Sequence, residues 1–266
     1  MILVVSDLHL GKVPAGDERS LADLRSCIDF LKPEISQVVF LGDTFDAFIE
    51  YPGRLPRPVG LWTSWANELQ QEGIEVAYFA GNHDRWHINH INKALDIPVE
   101  RAPKQIHWQS NCVWMEHGDL VADHSPMVRF LRYVSDHKWA YLLYRTFLPF
   151  GMGHRLAAEV SRKLANFSPD PKTEKALKSR AEALLAGGAA DVVIMGHCHS
   201  SLLKRYSGPE TSVGGDETGS NRRKSGIYVN TGDWYEGRTF VTLSDRARLL
   251  RWTSNRAEII GEEIFK

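Results

Sequence analysis

The sequence predicts an α/β protein built on a largely parallel sheet that is covered on both faces. In the first third of the chain, short apolar runs typical of strands alternate with stretches of helical periodicity. This alternation requires crossover connections, which are the mark of parallel sheets. With 266 residues, of which 43% are hydrophobic, the chain is long enough to bury a full core, and we treat residues 1–266 as a single domain.

The first predicted unit is a strand at residues 2–5 followed by a helix at residues 17–32. The strand is a continuous apolar run that gives way to polar residues, the pattern of a buried strand. The helix carries apolar side chains at three- and four-residue steps, with Asp17 as its candidate N-cap and Pro33 just beyond its end. Together they predict one βα unit.

The later strands fall into two groups. A second strand at residues 38–41 and a third at 76–79 are separated by a helix that contains Leu61, Trp65 and Leu69. Further apolar runs predict a second set of strands, in which the last two have no helix between them. This second set comprises residues 113–115, 192–195, 227–229 and 240–243.

Residues 124–180 differ from the rest in composition. The segment is helical in pattern, rich in aromatic residues, and carries 11 Lys and Arg against four Asp and Glu. One interpretation is a solvated helical face over an aromatic core. The other is an inserted helical cap that meets a substrate or membrane surface that is part anionic and part apolar. We predict a cap at about residues 124–180, and a flexible loop at the polar, glycine-rich residues 207–226.

Charge and cysteine content exclude several classes of protein. The formal net charge of −1 argues against a generally basic nucleic-acid binder, so no nucleic-acid partner is expected. Three scattered cysteines, Cys27, Cys112 and Cys198, cannot form a disulfide framework and indicate a reducing compartment. The chain shows neither a signal-peptide pattern nor an apolar run of about 18 residues. We therefore predict a cytoplasmic protein.

Polar residues follow five of the predicted strands. In open α/β sheets, ligands bind in the crevice outside the carboxyl ends of the strands, so these side chains are expected to converge. Alternation along an extended segment would bring residues two apart, such as Asp7 and His9, to the same side. The five groups are Asp7 with His9, Asp43, Asn82-His83-Asp84, His117, and His197 with His199.

The polar groups supply more metal ligands than one ion takes from side chains. Carboxylate, amide and imidazole donors together suit Mn²⁺, Fe²⁺ or Zn²⁺. A carboxylate can bridge two cations roughly 3.5–4 Å apart, and Asp43, alone on its strand end, is the expected bridge. Each group taken singly has an ordinary explanation as a turn or a structural histidine. Their ordered recurrence favours a two-metal site formed by Asp7, His9, Asp43, Asn82, His117, His197 and His199.

This ordered set of motifs resembles the calcineurin-like metallophosphoesterase superfamily. The resemblance covers about residues 1–240 and implies a four-layer αββα sandwich with two metals at the strand ends. One metal would take Asp7, His9, Asp43 and His199, and the other Asp43, Asn82, His117 and His197. The matching motifs are Asp7-X-His9, Gly42-Asp43, Gly81-Asn82-His83-Asp84, His117-Gly118-Asp119 and Gly196-His197-X-His199.

Within that superfamily, three features resemble the bacterial UDP-2,3-diacylglucosamine pyrophosphatases of lipid A synthesis. They are Ser6-Asp7-Leu8-His9-Leu10-Gly11, Leu41-Gly42-Asp43-Thr44-Phe45-Asp46, and the basic aromatic insertion after His117. This resemblance implies Mn²⁺, a helical cap over the acyl chains, and work at the inner face of the membrane. The best-known members carry Arg at the position of His83, whereas the superfamily at large carries His. The substrate contacts implied are Asn82, Asp123, Ser161, Arg162 and Lys163.

The expected function is hydrolysis of a phosphate or pyrophosphate bond in UDP-2,3-diacylglucosamine or a similar lipid-linked nucleotide, giving UMP and a lipid sugar phosphate. His83, outside the metal shell, is expected to stabilise the developing charge or protonate the leaving oxygen, with Asp84 orienting its ring. One alternative is a soluble phosphodiesterase or phosphomonoesterase without lipid preference. Another is a non-catalytic scaffold similar to the phosphoesterase-like subunit of retromer, a family that lacks the histidine of the third motif.

Overall fold

The computed structural model describes residues 1–86, 89–122, 126, 130, 133–134, 137–165, 171–207 and 225–265, without the side chains of residues 14, 15, 122 and 162–165. Within these residues the chain forms two β-sheets and a set of α-helices. The strands and helices are numbered below in chain order.

The first sheet has seven strands and contains the N-terminal half of the predicted motifs. Its strands are β1 (Ile2–Val5), β2 (Gln37–Leu41), β3 (Glu75–Phe79), β4 (Val99–Glu100), β10 (Thr239–Leu243), β11 (Arg246–Thr253) and β12 (Arg256–Ile264). They are ordered β12-β11-β10-β1-β2-β3-β4. Strands β1 to β4 are parallel to one another, and β10 pairs antiparallel with β1. The carboxyl ends of β1, β2 and β3 therefore lie side by side.

The second sheet has five strands. They are β5 (Lys104–Trp108), β6 (Asn111–Glu116), β7 (Val192–Met195), β8 (Leu202–Tyr206) and β9 (Gly226–Asn230). Their order is β5-β6-β7-β9-β8, in which β6, β7 and β9 are parallel and the two edge strands are antiparallel to their neighbours. The carboxyl ends of β6 and β7 are adjacent, as those of the first three strands are in the other sheet.

The described helices connect and cover the strands. They are α1 (Pro14–Leu31), α2 (Arg57–Gln71), α3 (His90–Leu95), α4 (Asp119–Ala122), α5 (Lys138–Phe147), α6 (Phe150–Ala165) and α7 (Pro171–Ala186), with a 3₁₀ turn at Lys32–Glu34. The prediction that Asp17 caps the first helix is wrong. That helix begins earlier, with Pro14 at its first position and no side-chain cap, because the fixed φ of proline already suits a helix start.

Alternation along the strands generates the layers. Ile2 and Val4 of β1 face the second sheet and pack in one buried cluster with Val192 and Ile194 of β7. The intervening Leu3 and Val5 point to the opposite face. There they share a second cluster with side chains of α1 and α2, among them Leu24, Ile28, Trp62 and Trp65.

The outer face of the second sheet is covered by α7. Its Leu177 and Leu185 pack against Val193 and Tyr228 in a third buried cluster. The order of layers is thus helix, sheet, sheet, helix, and the predicted four-layer αββα sandwich is confirmed. Since α7 belongs to this outer layer, the last part of the segment predicted as a cap, residues 171–180, packs as part of the sandwich.

Of the remaining cap segment, the described part consists mainly of α5 and α6. These helices pack on the loops after β2 and β3 through a small cluster that includes Ile49, Tyr51, Trp86 and Tyr141. Most of the predicted flexible loop, residues 208–224, lies outside the described residues. Among the helices that the structure describes, none has both the length and the apolar composition needed to cross a membrane.

Candidate metal centre

Backbone hydrogen bonds join the neighbouring strand ends and bring the predicted ligands together. The amide of Asp7 donates to the Gly42 carbonyl at 3.1 Å, and the amide of His9 donates to the Asp43 carbonyl at 3.0 Å. In the second sheet, the Gly196 amide donates to the His117 carbonyl at 3.0 Å. The loops after β1 and β2, and those after β6 and β7, are therefore held edge to edge where the sheets end.

Five of the predicted ligands have a left-handed backbone. Strands β1 and β7 end at Val5 and Met195, so the expected convergence of Asp7 with His9, and of His197 with His199, through alternation along an extended segment is wrong. A left-handed backbone brings Asp7 and His9 into one cluster instead, whereas His197 and His199 join different clusters. This conformation costs free energy in L-residues and concentrates at functional sites. The φ angles are 54° at Asp7, 46° at His9, 49° at Asp43, 68° at His197 and 54° at His199.

The first cluster consists of Asp7, His9 and His199. The Nε2 atom of His199 lies 3.2 Å from Asp7 Oδ1 and 3.3 Å from Nε2 of His9. Asp7 and His9 are buried. Burial alone would raise the pKa of Asp7, but the adjacent His199 outweighs this effect and holds the pKa below its ordinary value. One carboxylate oxygen and two imidazole nitrogens thus meet at one point.

The second cluster consists of Asp43, His117 and His197, with ligand atoms all within 4.8 Å of one another. His117 Nε2 lies 3.2 Å from Asp43 Oδ2, while its Nδ1 donates to the Leu41 carbonyl at 2.9 Å. Because a carbonyl only accepts, this bond places hydrogen on Nδ1 and directs Nε2 toward the cluster, the usual arrangement behind a metal-ligating histidine.

Buried carboxylates and imidazoles in the two clusters shift one another's pKa values. Burial lowers the pKa of an imidazole, but Asp43 outweighs it at His117 and raises that pKa well above its ordinary value. At His197, burial and the neighbouring His117 lower the pKa to about 4. The buried carboxylates and the imidazoles thus shift one another's pKa values, and a divalent cation would supply the compensating charge when it displaces protons from these ligands.

Two buried polar atoms test whether the clusters fit cations. Asp7 Oδ1 and His117 Nε2 make no aligned hydrogen bond among the described residues, and the contact that each has at 3.2 Å is with another potential ligand of its own cluster. Each lies in one of the two clusters and faces other lone-pair donors. The donor set of carboxylate and imidazole suits divalent cations such as Mn²⁺. The two clusters therefore fit one divalent cation each.

Asp43 lies at the junction of the loops after β2 and β3. Its Oδ1 accepts the His83 amide at 2.9 Å, which directs Oδ2 toward His117. Gly81 makes this approach possible, because a Cβ there would stand 2.1 Å from Asp43 Oδ1. Asn82 is exposed between Gly81 and His83. Coordination by Asn82 and bridging by Asp43 remain predictions.

The expected contact between Asp84 and the His83 ring is wrong. The Asp84 carboxylate is fully buried and accepts from the Gly81 amide at 2.7 Å, the Thr44 amide at 3.0 Å and the Tyr78 hydroxyl at 2.6 Å. Burial, with Asp43 nearby, raises its pKa to about 6. Asp84 therefore ties the loop after β3 to the loop after β2, a structural role that supports the site from behind.

Sequence reasoning missed Asp46, which touches the site from the loop after β2. Its Oδ1 lies 3.4 Å from His9 Nδ1, and its carbonyl lies 3.1 Å from His83 Nδ1. It forms a third group of potential ligands with His9 and His83. The available signal was its spacing, three residues after Asp43, in the motif that carries the family resemblance.

The predicted substrate contacts have different outcomes. Ser161 on α6 is buried and reaches the site, where its Oγ lies 3.0 Å from His83 Nδ1. Asp123 lies outside the described residues, as do the side chains of Arg162 and Lys163. Their contacts with substrate remain predictions.

Comparison with known proteins agrees with this geometry. Residues 1–201 match the family model for calcineurin-like phosphoesterases. The chain belongs to this family. The match covers the strands and loops that carry both clusters, and it confirms the family predicted from the ordered motifs.

One curated relative is the UDP-2,3-diacylglucosamine hydrolase of Porphyromonas gingivalis (strain ATCC BAA-308 / W83), to which the chain is 32% identical over 122 residues. That alignment spans 44% of this chain and 45% of the relative. Similar solved structures include Yfce, a phosphoesterase from E. coli, with a TM-score of 0.48, 14% identity and coverage of 100% of this chain and 99% of that one. Vacuolar Protein Sorting 29 from Cryptosporidium parvum has a TM-score of 0.45, 11% identity and coverage of 99% and 97%.

Replacing Gly81 by alanine should damage the metal centre without unfolding the protein. The new Cβ would lie 2.1 Å from Asp43 Oδ1 and 2.5 Å from the Asp43 backbone nitrogen, so the carboxylate must move. We expect Mn²⁺ binding to weaken by about 10-fold or more, the cost of forcing a group into a packed site. Titration of metal-free protein against a chelating dye measures this. Gly60→Ala on α2, where a Cβ meets nothing within 4 Å, is the control. Wild-type affinity in a folded Gly81→Ala protein would contradict the assignment.

Asp46→Asn should weaken metal binding although Asp46 is not among the predicted ligands. The amide keeps the size of the side chain but removes the charge that lies 3.4 Å from His9 Nδ1. Losing such a partner of a ligating histidine typically costs about 10- to 100-fold in metal affinity. The same dye titration measures the effect, with Asp29→Asn, whose side chain is 68% exposed, as the matched control. Equal affinities in the two variants would show that Asp46 does not support the site.

Proposed function

We propose that this protein is a metal-dependent hydrolase that cleaves a pyrophosphate bond in a lipid-linked nucleotide, UDP-2,3-diacylglucosamine or a close analogue. The observation that carries the proposal is the pair of Asp and His clusters at the sheet ends, each around a buried carboxylate, with His83 beside them. Such a pair fits two divalent cations and suits phosphoryl transfer to water. The products would be UMP and a lipid sugar phosphate.

The two clusters would each bind one of the divalent ions. Asp7, His9 and His199 would hold one divalent ion, and Asp43, His117 and His197 the other, with Asn82 as an added ligand. Bound Mn²⁺ would supply Lewis acidity, which lowers the pKa of water and neutralises phosphoryl oxygens.

His83 is the group that faces the reacting phosphate in this proposal. Its Nε2 lies 4.0 Å from Asp43 Oδ2, on the side of the ring that points into the site, and the side chain is 13% exposed. As an imidazolium, with hydrogen on both ring nitrogens, it can donate from Nε2 a hydrogen bond to a phosphoryl oxygen or a proton to the leaving oxygen as the bond to phosphorus breaks.

Exposed apolar side chains support a lipid part in the substrate. Of the 17 large hydrophobic residues exposed in the described part of the chain, ten lie between Leu120 and Val160. On α5 and α6 they include Trp139, 53% exposed, Phe147, 76%, and Met152, 60%. A concentration of this kind marks a surface that binds an apolar partner. The same helices carry cations, so the proposal extends to contact with an anionic membrane surface.

A soluble phosphodiesterase or phosphomonoesterase is the second candidate. His83 favours it, since the superfamily at large carries histidine there and the best-known lipid enzymes that the motifs resemble carry arginine. The chemistry at the metal centre would be the same. The two candidates differ in whether the exposed surface of α5 and α6 binds substrate.

A paired assay tests the proposal. The protein would be supplied with Mn²⁺ and either UDP-2,3-diacylglucosamine in mixed micelles or bis(p-nitrophenyl) phosphate. We expect UMP release from the lipid to exceed hydrolysis of the small diester at equal concentration, because apolar contacts add to binding. Comparable or faster turnover of the small diester would favour the second candidate. If neither compound is hydrolysed in a metal-dependent way, the proposed hydrolase activity is refuted.

Replacing His83 by alanine should slow turnover and leave the metal centre intact. We expect kcat to fall by about 10²–10⁴-fold, the usual contribution of one acid or base group. Metal content, measured by elemental analysis, should equal that of the wild type, because His83 stands outside the two predicted ligand sets. A variant that loses metal would instead make His83 a ligand, in the group that it forms with His9 and Asp46.

A further inference from the structure

Ser161, near the end of α6, makes a contact with His83 that the proposed reaction does not explain. Its side chain is buried, and its Oγ lies 3.0 Å from His83 Nδ1. The carbonyl of Asp46 lies 3.1 Å from the same nitrogen. Because a carbonyl accepts and cannot donate, Nδ1 must carry the hydrogen, and Ser161 Oγ is a second acceptor for it.

Among the described residues, the hydrogen bonds that hold the His83 ring lie at Nδ1. Nε2 points away from Ser161, 4.0 Å from Asp43 Oδ2, and the ring stands edge-on to His9 with centroids 4.8 Å apart. A half-turn of the ring would exchange Nδ1 with Cδ2 and Nε2 with Cε1. A carbon would then face the phosphate, and both bonds at Nδ1 would be lost. The bonds at Nδ1 thus fix both the tautomer and the ring orientation.

Ser161 also lies near the Asp46 carboxylate. Burial raises the pKa of that carboxyl, but His9, His83 and the Ser161 hydroxyl outweigh this effect and lower it. Ser161 is therefore close to both Asp46 and His83, the two residues whose contact at Nδ1 orients the His83 ring.

Aromatic contacts hold α5 and α6 in place over the same two loops. The Tyr51 hydroxyl donates to the Leu148 carbonyl at 2.9 Å, and the Tyr141 hydroxyl donates to the carbonyl of Glu50. The rings of Trp86 and Tyr144 lie 4.9 Å apart. These contacts start five residues or fewer beyond Asp46 and His83, so the position of Ser161 relative to the site is fixed from both loops.

We propose that Ser161 is a positioning residue that holds the His83 imidazole with Nδ1 protonated and Nε2 facing the reacting phosphate. For its catalytic consequence the inference rests on the proposed hydrolase function. The buried side chain and its contact with His83 give Ser161 this role within the protein, while its contact with substrate stays a prediction.

A double-mutant cycle tests whether Ser161 acts through His83. The four proteins are the wild type, Ser161→Ala, His83→Ala and the double variant, assayed with Mn²⁺ and bis(p-nitrophenyl) phosphate. Ser161→Ala should lower kcat by about 3- to 10-fold, the contribution of one buried hydrogen bond, with KM unchanged. In the His83→Ala background the same substitution should change nothing further. Independent, multiplicative losses, or a change confined to KM, would overturn the inference.

A second measurement needs no turnover. Long-range ¹H–¹⁵N spectra of histidine-labelled, metal-free protein at about pH 9, where ordinary imidazoles are neutral, report which ring nitrogen carries hydrogen. The His83 signals, assigned by their absence in His83→Ala, should show the Nδ1–H form in the wild type and a smaller share of that form in Ser161→Ala, where only the Asp46 carbonyl still accepts from Nδ1. Unchanged signals in that variant would refute positioning by Ser161.

Controls separate this effect from damage to the helix. Alanine favours helix formation, so Ser161→Ala should fold, and Ser161→Thr keeps the hydroxyl and should keep the wild-type spectrum. Thr146→Ala on α5 removes a hydroxyl that bonds only its own helix at Leu142, and should leave both readouts unchanged. Should the wild type prove inactive, the proposed function fails while the spectra still decide the role of Ser161.

Discussion

Two carboxylate–imidazole contacts between the sheets are the interactions on which the site depends. Asp7 and Asp43 follow strands of the first sheet, and His199 and His117 follow strands of the second, and each pair meets at 3.2 Å. A buried carboxylate costs several kcal/mol unless it is paired, and each aspartate has an imidazole partner from the opposite sheet in addition to hydrogen bonds from its own side, from Ser6 and from the His83 amide. The same two contacts thus form the site and join the two sheets.

These contacts require the strand ends to approach more closely than residues with a Cβ allow. Gly42, with φ of 90°, leaves room for the His117 ring, since a Cβ there would lie 2.4 Å from it. The predicted ligands themselves adopt left-handed turns, which cost free energy that the surrounding hydrogen bonds must offset. Local strain at these positions is consistent with selection for the arrangement of ligands over the stability of each loop.

The sequence predicted the parts of this arrangement that have a local pattern. Apolar runs located β1, β2, β3 and β7, and polar residues after each run are the predicted ligands. Asp84 and Asp46 were misjudged or missed because their partners are distant in sequence. Asp84 bonds to Thr44, 40 residues away, and only the pairing of β2 with β3 makes that contact visible. Spacing rules for an extended segment also failed at Asp7, since they assume a strand where the chain has already turned.

Local sequence patterns could not predict the contact between α6 and His83. Ser161 lies 78 residues from His83, in a helix whose periodicity indicates only an amphipathic face. In the structure one face of α5 and α6 is exposed and apolar, while the end of α6 reaches His83. A ligand that packs on the exposed face therefore packs on the helix that orients the proposed acid. Under the proposed function, apolar binding on α6 and chemistry at the phosphate involve the same helix, which predicts that an apolar part of the substrate contributes to kcat as well as to KM.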